Sequence, residues 1–246
     1  MPVSEVDRLL ATIRDVGFCV VPAVLPPDRC RAVRRVLGRL MRAEKAQHLL
    51  PSGHQRVMHL LAKDPIFVEV LTSPLVLAVW RRYLGDDMIC STMSANVLWP
   101  RSTELYWHVD HPYWTVAPPY PVDPPLSGQA IWMIDDFTIA NGATAGIPGS
   151  HRRRQLPTLG EHWTDEAAVL TGKAGSVILA DGAWWHTSRP NTTARARTAV
   201  LTTYIRSYCV TQEDMRAQLA TLRRPTKLVR HLLGGNQYQA RTELPY

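Results

Sequence analysis

The sequence predicts a mainly β protein, a sandwich or barrel, with helices before and after it. Residues 85–210 contain short runs of β-branched and aromatic residues separated by Gly, Pro, Asn and Asp, which is typical of successive strands. The segments on either side instead place apolar residues at helical spacing. We therefore expect 246 residues to form a single domain, with a helical front over about residues 1–84, a β core over about 85–210 and a helical tail over about 211–246.

The front begins with Ser4, a suitable N-cap for an amphipathic first helix. The apolar run GFCVVPAVL (17–25) then favours a strand. Prolines followed by a single apolar stripe predict a second amphipathic helix over residues 26–45. The region 64–84 is also expected to be helical, in two pieces, because Pro74 removes a backbone donor and ends the first piece.

The central region contains six expected strands and one long loop. The segment Thr115–Gly128 holds five prolines in fourteen residues, and a central strand does not tolerate them, so we expect a stiff loop. The six runs are MICSTMSANVLW (88–99), ELYWHVD (104–110), GQAIWMIDDFTI (128–139), ATAGIP (143–148), AGSVILAD (174–181) and RTAVLTTYI (197–205).

The net charge of +7 does not indicate a nucleic-acid or membrane partner. Of the 28 basic residues, 24 are arginine and 4 are lysine, and most of them are scattered, whereas single-strand binders combine basic patches with stacking aromatics. The four cysteines have no metal-binding spacing and are expected to be free thiols. The first residues do not follow the pattern of a signal peptide, and no apolar run reaches eighteen residues, so we expect a soluble cytoplasmic protein.

The run YWHVDHPYW contains a candidate metal-binding pair, His108 and Asp110. On a β-strand, side chains at positions i and i+2 lie on the same face. This composition gives about half a His-x-Asp triplet by chance, so the pair is not diagnostic by itself. His186, which follows the expected strand AGSVILAD, is the candidate third ligand. Two histidines and one carboxylate form the facial triad of non-haem Fe(II) oxygenases, which leaves three coordination positions open.

The segment HTSRPNTTARART after His186 adds an anion-binding candidate. A turn at Asn191 and Thr192 would allow Arg197 to open a strand and share a face with the alternate residues that follow it. The planar guanidinium matches a carboxylate through two hydrogen bonds. A dicarboxylate could therefore be held at one end by Arg197 and chelated to the metal at the other.

With these motifs, the chain resembles the phytanoyl-CoA dioxygenase family of Fe(II)- and 2-oxoglutarate-dependent oxygenases. The segments DVGFCVVPAVLPPDRC, WHVDHPYW, DDFTIANGATAGIPGSH and WWHTSRPNTTARART carry the resemblance, which covers most of residues 10–208. It implies a double-stranded β-helix, the cupin-like jelly roll. It also implies Fe(II) as cofactor and O2 and 2-oxoglutarate as cosubstrates. By this similarity the iron ligands are His108, Asp110 and His186, while Arg197, Ser188 and Thr144 bind the distal carboxylate of 2-oxoglutarate.

The sequence departs from the family pattern at two places. Thr187 stands where members often have glycine, and Arg195 is an alternative to Arg197. The carboxylate of Asp110 occupies the position that related halogenases replace with a small residue to admit chloride, which argues against halogenation.

The resemblance implies oxidation, most simply hydroxylation, of a C–H bond in a small molecule. The composition suggests bacterial specialised metabolism. Tyr113, Trp114 and Trp184 are the candidate substrate contacts, since such pockets are mainly apolar. The alternatives are a non-catalytic jelly-roll binding protein and a cupin-like metal-dependent isomerase. The sequence leaves open the substrate, the oligomeric state and whether Arg152–Arg154 meets an anionic substrate group.

Overall fold

The computed structural model describes residues 4–157 and 163–235 of the chain. Most of the helices lie in the front. Their bounds are α1 Glu5–Val16, α2 Pro27–Ala43, α3 Lys45–His48, α4 Leu60–Lys63, α5 Ile66–Leu71 and α6 Pro74–Leu84, followed in the tail by α7 Met215–Thr221 and α8 Lys227–Leu232. Ser4 caps α1, since its side chain accepts a hydrogen bond from the backbone N–H of Asp7 at 3.2 Å. The break between α5 and α6 lies at Pro74, as predicted.

In the described part of the chain, nine strands form two antiparallel sheets. Their bounds are β1 Phe18–Val21, β2 His54–Val57, β3 Ile89–Leu98, β4 Ser127–Met133, β5 Thr144–Gly146, β6 Ala168–Val169, β7 Val177–Asp181, β8 His186–Ser188 and β9 Arg197–Ile205. The larger sheet has six strands in the order β1-β7-β4-β9-β3-β2, and the smaller has three in the order β6-β5-β8. Two antiparallel sheets with flanking helices confirm the predicted fold class.

The larger sheet separates the helices from the interior of the β core. Alternate residues of β9 face opposite ways, because side chains on a strand have a period of two. Val200 and Tyr204 belong to the cluster shared with the helices. Ala199 and Leu201 belong to a second cluster on the opposite face of the sheet. The face that begins at Arg197 therefore points into the space between the two sheets.

Two sequence predictions need correction. The run 104–110 is not a regular strand, since within it only His108 forms a β-bridge, with His186. Beyond that bridge the chain leaves β8: the backbone N–H of Asp110 donates to the carbonyl of Gly182 at 3.2 Å, and a short 3-10 helix follows at 113–115. The structure also contains β2 and α4, for which no element was predicted in residues 46–63.

The front and the core share one sheet, because β1 and β2 pair with β7 and β3. That the whole chain forms a single domain stays a prediction, and residues 236–246 of the expected tail lie outside the described residues. All four cysteines are free, as predicted. Within the described ranges, the helices are too short or too polar to cross a membrane.

Candidate active site

The three candidate metal ligands converge between the two sheets. His108 and His186 form an antiparallel bridge, with two backbone hydrogen bonds of 3.0 Å, which places their rings 4.2 Å apart. Asp110 follows two residues later, and its Oδ2 lies 3.3 Å from Nε2 of His186. One ligand atom from each side chain lies within 4.8 Å of the other two. The geometry therefore suits a single metal ion bound on one side by three protein ligands.

The histidines are oriented by backbone carbonyls. Nδ1 of His108 lies 3.0 Å from the carbonyl oxygen of Tyr106, and Nδ1 of His186 lies 3.3 Å from that of Trp184. Since a carbonyl only accepts, Nδ1 is the donor in each of these bonds, and Nε2 is the ring nitrogen left to bind a metal. Such bonds to the remote nitrogen commonly orient metal-binding histidines.

The local electrostatics keep His108 and Asp110 in their metal-binding forms. Burial and the neighbouring His186 lower the pKa of His108 to about 4. Burial opposes ionisation of Asp110, but the charge and hydrogen bond of His186, with His108 and Arg56, outweigh it and lower the pKa of Asp110 to about 2. At neutral pH the imidazole of His108 is neutral and the carboxylate is charged, which are the forms that coordinate a metal.

A buried cation faces the same cavity as these ligands. Arg197 is 2% exposed and lines the cavity together with His108, Asp110 and His186. Its Nη2 donates to the carbonyl of Gly142, its guanidinium lies 4.2 Å from the centroid of the Phe137 ring, and its Nε has no hydrogen-bond partner. Among the described residues no carboxylate forms an ion pair with it, and burial lowers the pKa of Arg197 to about 9. A buried cation without a counter-ion is costly unless an anion binds there.

Two hydroxyl side chains line the cavity beside Arg197. Thr144 and Ser188 are directly paired between β5 and β8, and both are buried. The Oγ of Ser188 has no hydrogen-bond partner in the described structure. Arg195, in contrast, is exposed, and its carbonyl accepts from the side chain of Asn191 at 2.8 Å. The geometry thus favours Arg197 over Arg195 as the anion-binding residue.

Thr187, which stands where members of the family often have glycine, has a structural role. Its hydroxyl donates to the carbonyl of Leu105 at 2.5 Å, which ties β8 to the irregular segment that carries His108. A glycine at this position would lack that bond. The sequence alone gave no sign of this contact, because the two residues lie 82 positions apart.

A second small cavity adjoins Asp110 on the side away from Arg197, and sequence reasoning missed it. Hydroxyls of Thr92, Ser94 and Thr203 line it, together with the amides of Gln129 and Gln212. Arg56 borders both cavities, and its Nη1 donates to Oγ of Ser94 at 3.3 Å. These residues come from four separated parts of the chain, so no local motif announces them.

The predicted substrate contacts do not lie in these cavities. Tyr113 is fully buried, and its hydroxyl accepts from the backbone N–H of Leu126 at 2.9 Å. Trp184 is also fully buried and is stacked on His186. Trp114 is 48% exposed. Of the three, only Trp114 has a surface free to meet a substrate, and its role stays a prediction.

The arginines at 152–154 contact the protein itself. Arg152 donates to the carbonyl of Arg14 at 3.2 Å, Arg153 pairs with Glu166 at 2.8 Å, and Arg154 donates to the carbonyl of Tyr120 at 2.6 Å. The last bond attaches the proline-rich segment to this turn. These contacts explain the basic run without an anionic substrate.

Two antiparallel sheets that enclose two histidines, an aspartate and a buried arginine define the class of jelly-roll Fe(II)- and 2-oxoglutarate-dependent oxygenases. The profile of the phytanoyl-CoA dioxygenase (PhyH) family matches residues 13–199, and the chain belongs to this family. This membership confirms the predicted family, the enzyme class and the cofactors, Fe(II) with 2-oxoglutarate and O2 as cosubstrates.

Sequence identity to an individual relative of known name is low. The chain is 28% identical over 205 residues to the dioxygenase af480 of Aspergillus fumigatus, a match that covers 79% of this chain and 64% of that protein. It therefore spans slightly under two thirds of that relative.

Solved structures also share the fold, and two of them serve as examples. HygX from Streptomyces hygroscopicus, crystallised with nickel, 2-oxoglutarate and hygromycin B, has a TM-score of 0.69 at 19% identity and covers 84% of this chain and 89% of its own. The carbocyclase SnoK from nogalamycin biosynthesis has a TM-score of 0.68 at 19% identity and covers 90% of this chain and 92% of its own.

Proposed function

We propose that this oxygenase hydroxylates a C–H bond of a small polar molecule of specialised metabolism. His108, Asp110 and His186 would hold Fe(II), and Arg197, Ser188 and Thr144 would hold the distal carboxylate of 2-oxoglutarate. Fe(II) bound there, with 2-oxoglutarate and O2, supplies the oxidising power to break an unactivated C–H bond. Hydroxylation is the simplest outcome, since it requires no second reacting group on the substrate.

The single observation that carries this proposal is the unpaired guanidinium of Arg197 in the cavity of the triad. A metal-dependent isomerase needs the three ligands, but it has no use for a buried cation on the far side of them. A dicarboxylate that chelates the metal would pair with this cation and reach the free Oγ of Ser188. The residues present thus fit both the metal and the cosubstrate.

The residues of the protein perform the binding and orienting steps. The carboxylate of Asp110 and the imidazoles of His108 and His186 line one cavity, where they would hold Fe(II). Arg197 would hold the distal carboxylate of the cosubstrate, and the Phe137 ring restricts the movement of the guanidinium. The apolar side chains of Ile131 and Leu201 border the cavity and limit the water that reaches it.

The chemistry of the second cavity supports a polar substrate. Its wall presents hydroxyl and amide groups at Thr92, Ser94, Thr203 and Gln212, and the Oγ1 of Thr92 is buried without a partner. Buried polar groups favour ligands that hydrogen-bond to them over ones that cannot. A long acyl chain would leave these groups unpaired. The neighbours HygX, bound to hygromycin B, and SnoK, from nogalamycin biosynthesis, agree with a specialised-metabolite substrate.

The test has two stages. Under anaerobic conditions, Fe(II) and 2-oxoglutarate together should produce the visible charge-transfer band of an Fe(II)–2-oxoacid chelate, and O2 should then release succinate. In the second stage, a panel of hydroxylated natural products and a panel of acyl-CoA esters are compared for stimulation of succinate release, with product mass as readout. Absence of the band and of succinate would reject the enzymatic role. Stimulation by acyl-CoA esters alone would reject the polar substrate.

A further inference from the structure

We propose that Trp184 and Gln129 form a positioning pair that fixes Asp110 and His186 relative to each other before a metal binds. This inference rests on the proposed metal site and concerns residues that the metal does not touch. The indole of Trp184 contacts one ligand with its face and reaches the other through its N–H and a single glutamine amide.

The contact with His186 is direct. The indole and the imidazole are stacked with ring centroids 4.5 Å apart and an angle of 10° between their planes. The backbone carbonyl of Trp184 lies 3.3 Å from Nδ1 of His186. This contact determines which of the two flipped orientations the imidazole ring adopts. Stacking restricts the rotation of the imidazole, while the carbonyl selects which nitrogen carries the proton.

The contact with Asp110 passes through Gln129. Nε1 of Trp184 donates to Oε1 of Gln129 at 3.2 Å, and Nε2 of Gln129 donates to Oδ2 of Asp110. That carboxylate oxygen is the one 3.3 Å from Nε2 of His186. An amide has distinct donor and acceptor ends, so the indole N–H sets the orientation of the glutamine, and the glutamine then sets the rotation of the carboxylate.

The surrounding packing holds the indole in one place. Trp184 is fully buried, and its ring centroid lies 5.2 Å from that of Phe18. Gly146 lies beside both rings, since a Cβ added there would be 2.5 Å from the indole and 3.0 Å from the Phe18 ring. Gly146 is also the residue paired with His186 between β5 and β8. The indole therefore lies in a slot that only a glycine leaves open, immediately beside the ligand it supports.

The position of Gln129 is unusual for a purely structural residue. Every residue of β4 is buried, and Gln129 is 2% exposed. A buried amide costs free energy unless all its groups are paired, and here its two ends pair with Trp184 and a metal ligand. Groups that orient metal ligands in this way typically contribute about 10- to 100-fold to metal affinity.

The test uses two substitutions and their combination. Gln129→Met keeps the length of the side chain but removes both hydrogen bonds, and Trp184→Phe keeps an aromatic face on His186 but removes the N–H. We expect Gln129→Met to raise the Kd for Fe(II), and for Co(II) as a stable probe, by about 10- to 100-fold. Trp184→Phe should raise the Kd for both metals by a smaller factor. The double variant should match Gln129→Met alone, because both changes remove the same path to Asp110.

Gln55→Met is the matched control. Gln55 is also fully buried, accepts from Nε1 of Trp99 at 2.8 Å and donates to the carbonyl of Met41 at 2.8 Å, but it contacts none of the three ligands. Its replacement should lower the Tm of the metal-free protein and leave the Kd for Co(II) unchanged. The d–d spectrum of the Co(II) protein reports ligand geometry and should change for Gln129→Met but not for Gln55→Met.

The outcomes separate this inference from the proposed function. If the wild-type protein binds neither Fe(II) nor Co(II), the proposed metal site is wrong. If it binds them and Gln129→Met keeps the wild-type Kd and Co(II) spectrum, the metal site stands and the positioning pair is rejected. A loss of Tm equal to that of Gln55→Met, with no change in Kd, would also assign Gln129 a structural role only.

Discussion

The two ends of the β3–β9 pair present different chemistry to the interior. At one end, Arg197 opposite Leu98 provides a buried positive charge with a free Nε and an aromatic ring beneath it. At the other end, the paired Thr92 and Thr203 present neutral hydroxyls. The candidate metal ligands lie between these two ends, because Asp110 borders both cavities.

The difference separates a region suited to a cosubstrate from a region suited to a substrate. A buried guanidinium beside a metal site favours a small dicarboxylate, because it pairs with one carboxylate while the other end can reach the metal. Neutral hydroxyls and amides accept many arrangements of hydrogen-bonding groups and can be exchanged without loss of the metal or cosubstrate. We therefore expect changes at the charged end to act on 2-oxoglutarate and changes at the neutral end to act on the substrate.

The largest effect is expected at the three candidate metal ligands between the two ends, because binding of both the cosubstrate and the substrate depends on the metal. His108→Ala, Asp110→Ala and His186→Ala should each weaken Fe(II) binding by more than about 100-fold, since even indirect supports of metal ligands contribute 10- to 100-fold. Iron content and succinate release measure the effect, and circular dichroism verifies that each variant is folded. A variant with near wild-type succinate release would remove its residue from the triad.

The next largest effect is expected from a substitution that changes the charged end alone. Arg197→Ala should raise the KM for 2-oxoglutarate by about 30-fold or more, because truncation of one partner of a buried charge pair costs about 2 to 5 kcal/mol. Arg195→Ala is the control, since its side chain is exposed. Uncoupled succinate release at varied concentrations of 2-oxoglutarate gives the KM of both variants. Equal effects of the two substitutions would contradict the assignment of Arg197.

The contrast between the ends also explains what could be predicted from the sequence. His186 and Arg197 lie eleven positions apart, at the start of β8 and of β9, so one turn and one strand period were enough to relate them. The helices around Pro74 followed from apolar spacing and the proline break in the same local way. The fold class and the placement of Arg197 near His186 were therefore accessible without coordinates.

The surroundings of the second cavity were not accessible from the sequence, because long-range pairing assembles them. Gln129 on β4 meets Asp110 and Trp184 only after the sheet has formed. Arg56, which borders both cavities, lies on β2, a strand that was not predicted. Two of the large aromatics near the motif line neither cavity. Tyr113 and Trp184 resemble pocket residues in composition, but the structure uses them as packing around the site.

A smaller effect is expected at the neutral end. The double variant Thr92→Val/Thr203→Val should raise the KM for a polar substrate from the panel by about 10-fold, since each hydrogen bond contributes about 0.5 to 1.5 kcal/mol. The KM for 2-oxoglutarate should not change. Thr202→Val is the matched control: its buried Oγ1 also lacks a partner, but it lies on the opposite face of β9. If the double variant raises the KM for 2-oxoglutarate instead, the two ends are not separate.

The smallest effect is expected at the rim of the neutral end, at Trp114. Its ring centroid lies 6.1 Å from that of His111, whose Nδ1 lies 3.2 Å from Oγ of Ser91, the neighbour of Thr92 on β3. An aromatic ring that is 48% exposed there can cover a bound substrate without contacting the metal. Trp114→Ala should raise the substrate KM about threefold, the lower part of the range for an aromatic contact.

Ile139→Ala serves as the comparison for Trp114→Ala, because Ile139 is 64% exposed and follows Phe137 near the charged end. Ile139→Ala should alter neither the KM for the substrate nor the KM for 2-oxoglutarate. The ratio of succinate to product gives a second readout: a ring that covers the substrate should reduce uncoupled turnover, so its loss should raise this ratio. An unchanged ratio and substrate KM for Trp114→Ala would exclude Trp114 from the substrate site, and specificity would then depend on the buried hydroxyls and amides alone.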